Sequence, residues 1–242
     1  MPKIVPQRQK AQLIGTSDIT HDLREFRFRS SGGASFLPGQ FAMLDLPGVD
    51  ASRAYSLSNT ANDDGEWHFQ VRRVPHGKGT HVLFDKLACG DEIGLDGPYG
   101  VAWLRTDSPR DIVCVAGGSG LAPMVSIARG AVEAGMLKNR KLYFFYGART
   151  PRDVCGREML AQLEGFGDRI VYLPVVSLPG DDGEWQGETG YVHDLVSRAL
   201  PGNLTGYEFY FAGPPPMTQA LQEMLMVGHR VPFEQIHFDR FF

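Results

Sequence analysis

Residues 112–123, IVCVAGGSGLAP, carry an apolar, strand-forming run through a cluster of small residues into a helix-forming run. Glycine at such a junction lets the backbone approach a phosphate closely, and the free N–H groups at the start of the following helix attract an anion. Gly118 and Gly120 occupy the first two glycine positions of a dinucleotide fingerprint, while Pro123 stands where the third belongs. Proline suits a first helical turn but cannot replace a glycine needed for close packing on a sheet. Taken alone, the junction reads either as a nucleotide cradle or as an ordinary strand-turn-helix connection. A third reading starts from Gly117-Gly118-Ser119-Gly120, which comes within one position of a nucleophile elbow, with Asp194 and then His229 or His237 following in the order of a hydrolase triad. Leu121 stands where that elbow requires glycine.

Two further groups could do chemistry. Arg53, Ala54, Tyr55, Ser56 and Leu57 form a strand whose pleat sets Arg53 and Tyr55 on one face and Ser56 on the other. A half-exposed surface strand has the same pattern. In HGKGTHVLF, Gly77, Lys78, Gly79 and Thr80 precede or open a helix, which makes a second potential anion site with an added positive charge. Two helix starts of this kind fit two bound nucleotides better than one.

The elements that must position these residues divide into two patterns. Short β-rich runs at 11–15, 23–29, 40–46, 53–58, 67–74 and 92–95, separated by turn signals such as SGGAS, LPG, NDDGE and CGD, predict a six-stranded antiparallel barrel with one helix at 80–87. From residue 111, strands and helices alternate: IVCVA, a helix at 121–135, KLYFFYG, a helix at 157–163, IVYLPVV, a helix at 193–200, YEFYFAG, a helix at 215–226 and QIHFD. Alternation of this kind predicts a doubly wound parallel sheet. The segment GPYGVAWLRTDSPRD separates the patterns, so the domains are expected at 1–106 and 107–242.

Composition removes several function classes. The chain has 242 residues, 43% hydrophobic and 21% charged, with 29 glycines and 16 prolines, which suits a turn-rich globular protein rather than a long helical bundle. A net charge of -4 supplies no overall positive field, so nucleic acid is not an expected partner. The longest charge-free run, 112–128, has glycines and Pro123 at its centre and reads as a turn, not a membrane span. No secretory leader is evident at the start, so a cytoplasmic location is expected. Cys89, Cys114 and Cys155 match neither a disulfide framework nor the spacing of a plant-type iron-sulfur cluster. His21, His68, His76, His81, His193 and His229 lack metal-ligand spacing, and no metal site is expected.

Five motifs in order carry a resemblance: Arg53-Ala54-Tyr55-Ser56-Leu57, Gly77-Lys78-Gly79-Thr80, Gly97-Pro98-Tyr99-Gly100, Gly117-Gly118-Ser119-Gly120-Leu121-Ala122-Pro123, and Ala212-Gly213-Pro214-Pro215-Pro216-Met217. The chain resembles the ferredoxin-NADP reductase superfamily over nearly its whole length, and within it the reductase components of bacterial toluene and phenol monooxygenases. The resemblance implies FAD and NADH as cofactors, hydride transfer from NADH to FAD, and single-electron delivery to a 2Fe-2S ferredoxin domain or protein that serves an oxygenase. A free NAD(P)H:flavin reductase and a flavin relay subunit that never meets nicotinamide are the alternatives within this chemistry. Similar reductases often carry a ferredoxin domain; the expectation is that this chain is the FAD and NAD portion of a longer one, with residues 1–10 as linker, and acts as a monomer.

By the same resemblance, Arg53 would pair with the FAD pyrophosphate and Tyr55 would pack along the isoalloxazine and ribityl chain. Ser56 would bond near flavin N5, and Gly77, Lys78, Gly79 and Thr80 would complete the pyrophosphate site. Val71 and Arg72 belong to a strand that would line the pyrimidine end. Gly118, Ser119, Gly120, Pro123, Gly213, Pro214 and Met217 would receive NADH. The family commonly has cysteine before Gly213; Ala212 stands here, so hydride transfer must rely on stacking and positioning. At the C-terminus Asp239 and an aromatic among Phe238, Phe241 and Phe242, with Phe241 favoured, would approach the flavin. Arg149 could meet a 2′-phosphate and Asp153 could repel one; similar oxygenase reductases favour NADH, which is the cofactor expected here.

Overall fold

The computed structural model of the chain describes residues 4–180 and 185–239. Its first half contains strands β1 (Gln7–Asp18), β2 (Leu23–Ser30), β3 (Phe41–Asp45), β4 (Arg53–Ser56) and β5 (Glu66–Arg72), helix α1 (Lys78–Asp85), and strand β6 (Glu92–Tyr99). These strands form one antiparallel sheet in the order β4-β3-β6-β1-β2-β5. Its two outer strands curl toward each other: Leu57 bridges to Phe69, and the Ser58 N–H donates to the His68 carbonyl at 2.8 Å, closing the sheet into a barrel. Alternation drives the closure. Phe26 and Phe28 of β2 and Trp67, Phe69 and Val71 of β5 point inward onto Leu13, Leu44 and Leu95. Each such aromatic contributes about 1.5–3 kcal/mol by leaving water.

The barrel has the six strands and single helix that the sequence predicts, with differences at the ends. β1 extends well beyond 11–15 because its first half pairs with β6 and its second half with β2. β6 runs on from the predicted end to Tyr99 through Gly97 and Pro98, residues that argue against a strand locally but are held here by β1 and β3.

The second half contains β7 (Asp111–Gly117), α2 (Leu121–Glu133), β8 (Leu142–Ala148), α3 (Arg157–Ala161), β9 (Ile170–Val176), a short β10 (Glu188–Thr189), α4 (Val192–Ala199), β11 (Tyr207–Ala212), α5 (Pro215–Glu223) and β12 (Ile236–His237). The sheet is parallel, in the order β10-β9-β8-β7-β11-β12. β7 is apolar on both faces because both are covered. Cys114 and Ala116 pack toward α2 and α3, while Val113 and Val115 pack toward α4 and α5. β10 escapes a sequence reading because two residues carry no periodicity. α5 ends three residues before the predicted limit and continues as a π-helical turn, Met224–Gly228.

Helix α2 holds the two halves together. Its Ser126 hydroxyl donates to the Asn59 carbonyl at 2.7 Å and accepts from the Gly39 N–H at 3.3 Å. One turn on, Arg129 donates to the Ser58 carbonyl at 2.8 Å, and Thr60 donates to Glu133 at 2.7 Å. Gly130 lies against Pro38 so closely that a Cβ would overlap the proline ring. The crossing segment is fixed at its other end by a buried group: Glu208 accepts from Ser108 at 2.7 Å and Arg110 at 3.1 Å, and His237 lies 2.6 Å from its other oxygen.

Ser126→Ala strands a buried carbonyl and a buried N–H at the junction, so it should cost about 1–3 kcal/mol in a denaturant titration. A second expectation concerns acid. Burial raises the Glu208 pKa, but the bonds from His237 and Ser108 outweigh it and leave the carboxyl below its ordinary value. A depressed carboxylate stabilises fully above its unfolded pKa and loses that contribution as pH falls through the folded one. Glu208→Gln should therefore destabilise at neutral pH and flatten the fall in stability below the ordinary Glu pKa; an unchanged acid limb in pH-dependent melting would contradict the assignment.

Candidate functional site

A cleft of about 580 Å³ opens where the barrel seam meets the carboxyl ends of β7 and β11. β8 lies on one side of β7 and β11 on the other, so this is the point where the winding of the sheet reverses, and ligands of open α/β sheets bind outside such a crevice. One wall comes from the barrel: Arg53, Ala54, Tyr55 and Ser56 of β4, Gln70, Val71 and Arg72 of β5, and Val74, Gly77, Lys78, Gly79 and Thr80. The other comes from residues 117–120 and 212–215.

On the barrel wall Tyr55 and Ser56, which alternation sets on opposite faces of β4, both line the cleft. β4 pairs only with β3, so its free edge faces the cleft and all four of its residues line it. The Arg53 guanidinium bonds the Ala51 and Ser52 carbonyls at 3.1 and 3.5 Å and pairs with no carboxylate among the described residues. No side chain caps α1, whose first N–H groups lack intrahelical partners. Thr80 is occupied in the turn before α1: its hydroxyl donates to the Val74 and Gly77 carbonyls, each at 3.2 Å. Gly79 approaches the Tyr55 hydroxyl so that a Cβ there would lie 2.9 Å from it. Burial pushes the Tyr55 phenol up to about 12, against the pull of Arg53, so it stays neutral at physiological pH.

On the opposite wall the backbone is shaped by its glycines. Gly118 adopts a left-handed φ of +57°, and a Cβ at Gly120 would overlap the Ala212 carbonyl. The turn after β7 is thereby drawn tight against the turn after β11. Ser119 is exposed in a single 3-10 turn, Gly118–Gly120. The hydrolase arrangement is not assembled. His229 bonds Ser197 at 3.0 Å, His237 bonds Glu208, and Asp194 lies beside His193, none of them with Ser119.

Other residues singled out from the sequence lie off the cleft lining. Pro123 is buried in the first turn of α2. Met217 packs behind the turns, 2.7 Å from the position of a Cβ on Gly117 and against Gly213. Arg149 is exposed past the end of β8. Asp153 is buried; one oxygen accepts from the Thr150 N–H and hydroxyl at 2.9 and 2.7 Å, the other from Arg72 at 3.1 Å. Asp239 accepts from the Val101 N–H at 2.9 Å just past β6; burial there raises its pKa against the pull of the Val101 and Ala102 amides. Phe241 lies outside the described residues. Val74 lines the cleft without having been singled out, and Gln70 and Pro215 line it from within a strand and a motif that were, without a role of their own. The one signal for Gln70 was a polar residue within the apolar run of β5: Trp67, Phe69 and Val71 face the barrel core, so Gln70 faces the other domain, where it meets Met159.

The donors present fit a dinucleotide on each wall. An unpaired guanidinium beside an uncapped helix start suits phosphate oxygens, and the left-handed glycine turn leaves its backbone open to a second phosphate pair. The chemistry of the donor set therefore agrees with FAD on the barrel side and a nicotinamide dinucleotide on the sheet side.

Comparison with known proteins agrees with this division. Residues 10–103 match the oxidoreductase FAD-binding domain and residues 114–223 the oxidoreductase NAD-binding domain. The chain is 39% identical to ferredoxin-NAD(P)+ reductase CarAd of Metapseudomonas resinovorans, over 100% of this chain and 71% of that protein. It is 37% identical to the ferredoxin-NAD+ reductase component of the alkene monooxygenase system of Xanthobacter autotrophicus, over 98% and 71%. It is also 33% identical to DmpP, the reductase component of phenol 2-monooxygenase of Pseudomonas sp., over 93% and 63%. A solved ferredoxin reductase of carbazole 1,9a-dioxygenase superposes with a TM-score of 0.90 at 36% identity, covering 100% of this chain and 71% of that one. Among the described residues no helix is long and apolar enough to cross a membrane. With an FAD-binding barrel and an NAD-binding domain meeting at a shared cleft, the chain belongs to the ferredoxin-NAD(P)+ reductase family of oxygenase systems.

Proposed function

We propose that this chain takes hydride from NADH and delivers electrons one at a time to a 2Fe-2S ferredoxin domain or protein that serves an oxygenase acting on an aromatic hydrocarbon. The observation that carries the reading is the single cleft with an unpaired Arg53 and the α1 start on one wall and the glycine turn on the other. FAD bound there supplies a hydride acceptor that can release its two electrons singly. The domains divide between residues 106 and 107, in the stretch between the two matched regions. One copy of the chain contributes both walls, which supports a monomer, and we place its work in the cytoplasm.

Arg53 and the N–H groups of Lys78, Gly79 and Thr80 hold the FAD pyrophosphate, and Gly77, whose own N–H donates to the Val74 carbonyl, shapes the turn beside them. Tyr55 packs on the ring and ribityl chain, Ser56 donates toward N5, and Val71 and Arg72 line the ring's outer end. Gly118, Ser119, Gly120, Gly213 and Pro214 receive NADH, with Pro123 and Met217 fixing those turns from behind. Ala212 provides no thiol, so the residues act by holding donor and acceptor in register and excluding water. Asp239 fixes the loop at Val101 on the far side. Arg149, exposed beyond β8, would meet the adenosine end of the nicotinamide dinucleotide.

Purified chain should retain FAD through gel filtration and reduce ferricyanide with NADH; loss of all flavin on the column would favour the free flavin reductase instead. Electrons should reach an oxygenase only when a 2Fe-2S protein is supplied. Arg53→Gln should weaken FAD binding about 10- to 100-fold by removing a charge-assisted bond, measured by flavin fluorescence. Ser56→Ala should leave FAD bound and slow flavin reduction by up to about tenfold, the worth of one hydrogen bond.

A further inference from the structure

Arg72 joins the barrel to the NAD-binding domain through a cluster of charges at the rim of the cleft. It follows Val71 at the end of β5 and, by the strand's alternation, faces away from the barrel core. Its Nε donates to Asp22 in the turn between β1 and β2 at 2.6 Å, and its Nη2 donates to Asp153 of the other domain at 3.1 Å. Its Nη1 is turned to the glycine turn, 3.2 Å from where a Cβ on Gly118 would stand. His21 lies 3.8 Å from both carboxylates. A guanidinium that reaches the dinucleotide turn is thus already held by two acids, one from each domain.

Asp153 is well fitted to this task and poorly fitted to bind a ribose hydroxyl. It is 7% exposed, and both its oxygens are engaged, one by Thr150 and one by Arg72. Burial works against its charge, but the Thr150 bonds and the nearby Arg72 hold its pKa below the ordinary value, so it is ionised at neutral pH. A pyrophosphate arriving at Gly118 must attract the same guanidinium. The resident carboxylate and the incoming phosphate therefore compete for one cation.

We propose that Asp153 is an internal competitor for Arg72, which lowers the affinity for the nicotinamide dinucleotide and lets the oxidised product leave, while fixing the approach of the two domains when the cleft is empty. The inference rests on the dinucleotide reading of the cleft. It differs from the repulsion of a 2′-phosphate that the sequence suggested, because the acid acts on Arg72 and not on the ligand directly.

The test is calorimetric titration of the FAD-loaded chain with ADP-ribose at low salt. Binding by the parent chain checks the cleft itself, and its absence would sink the dinucleotide reading rather than this one. Asp153→Asn preserves the acceptor that Thr150 needs but loses the charge, and should bind ADP-ribose about 3- to 10-fold more tightly, an advantage that shrinks at high salt. Asp22→Asn, which leaves the Thr150 turn untouched, should shift affinity in the same direction and serves if Asp153→Asn does not fold. Thr150→Val loosens the turn while keeping the carboxylate and should leave affinity unchanged. Weaker or unaltered binding in the folded Asp variants overturns the proposal, as does equal tightening in Thr150→Val.

Discussion

The double burial of α2 is the constraint on which the rest of the molecule depends. One side of the helix completes the core of the parallel sheet through Leu121, Met124, Val125 and Ala128. The other rests on the barrel through Ser126, Arg129 and Gly130. A helix satisfied on both sides cannot slide without exposing apolar surface or orphaning buried bonds. Its N-terminus, which carries the glycine turn, is therefore fixed relative to β4 and β5. The distance between the two cofactor walls is set by packing well away from the cleft.

Chemistry then collects where regular structure runs out. The barrel leaves the β4 edge unpaired opposite the one place where the parallel sheet reverses its winding. At both positions backbone groups remain open to a ligand, and of the cations nearby Arg53 bonds only backbone carbonyls while Arg72 is shared between two carboxylates. Hydride transfer asks little more of a protein than two rings held in contact and dry, which suits a site built mainly from backbone, glycine and one hydroxyl.

Much of this was legible in the sequence because periodicity changes so sharply near residue 106. Alternation in β2 and β5 reports a barrel with one face inward, while the unbroken apolar run of β7 reports a strand covered on both faces. The glycine turn and Arg53 were visible as local patterns. What was not legible depends on contacts between distant parts of the chain. The pleat of β4 does not by itself bring Ser56 into the cleft beside Tyr55, since strand edge rather than strand face decides what lines it. Asp22 gave no signal, being one acid in a hairpin turn until the fold brings it to Arg72, fifty positions on. Asp153 reads in the sequence as an acid that could face a 2′-phosphate, yet its partners come from its own turn and from the barrel.

The proposed activity turns on whether this one cleft brings a nicotinamide dinucleotide into direct contact with bound FAD. Anaerobic stopped-flow spectroscopy with NADH deuterated at nicotinamide C4 tests it most directly. The account predicts that flavin absorbance is lost in a phase slowed by deuterium on the transferred face alone, since the carbon-hydrogen bond breaks as hydride moves to the flavin. Flavin that remains oxidised in the presence of saturating NADH would contradict it.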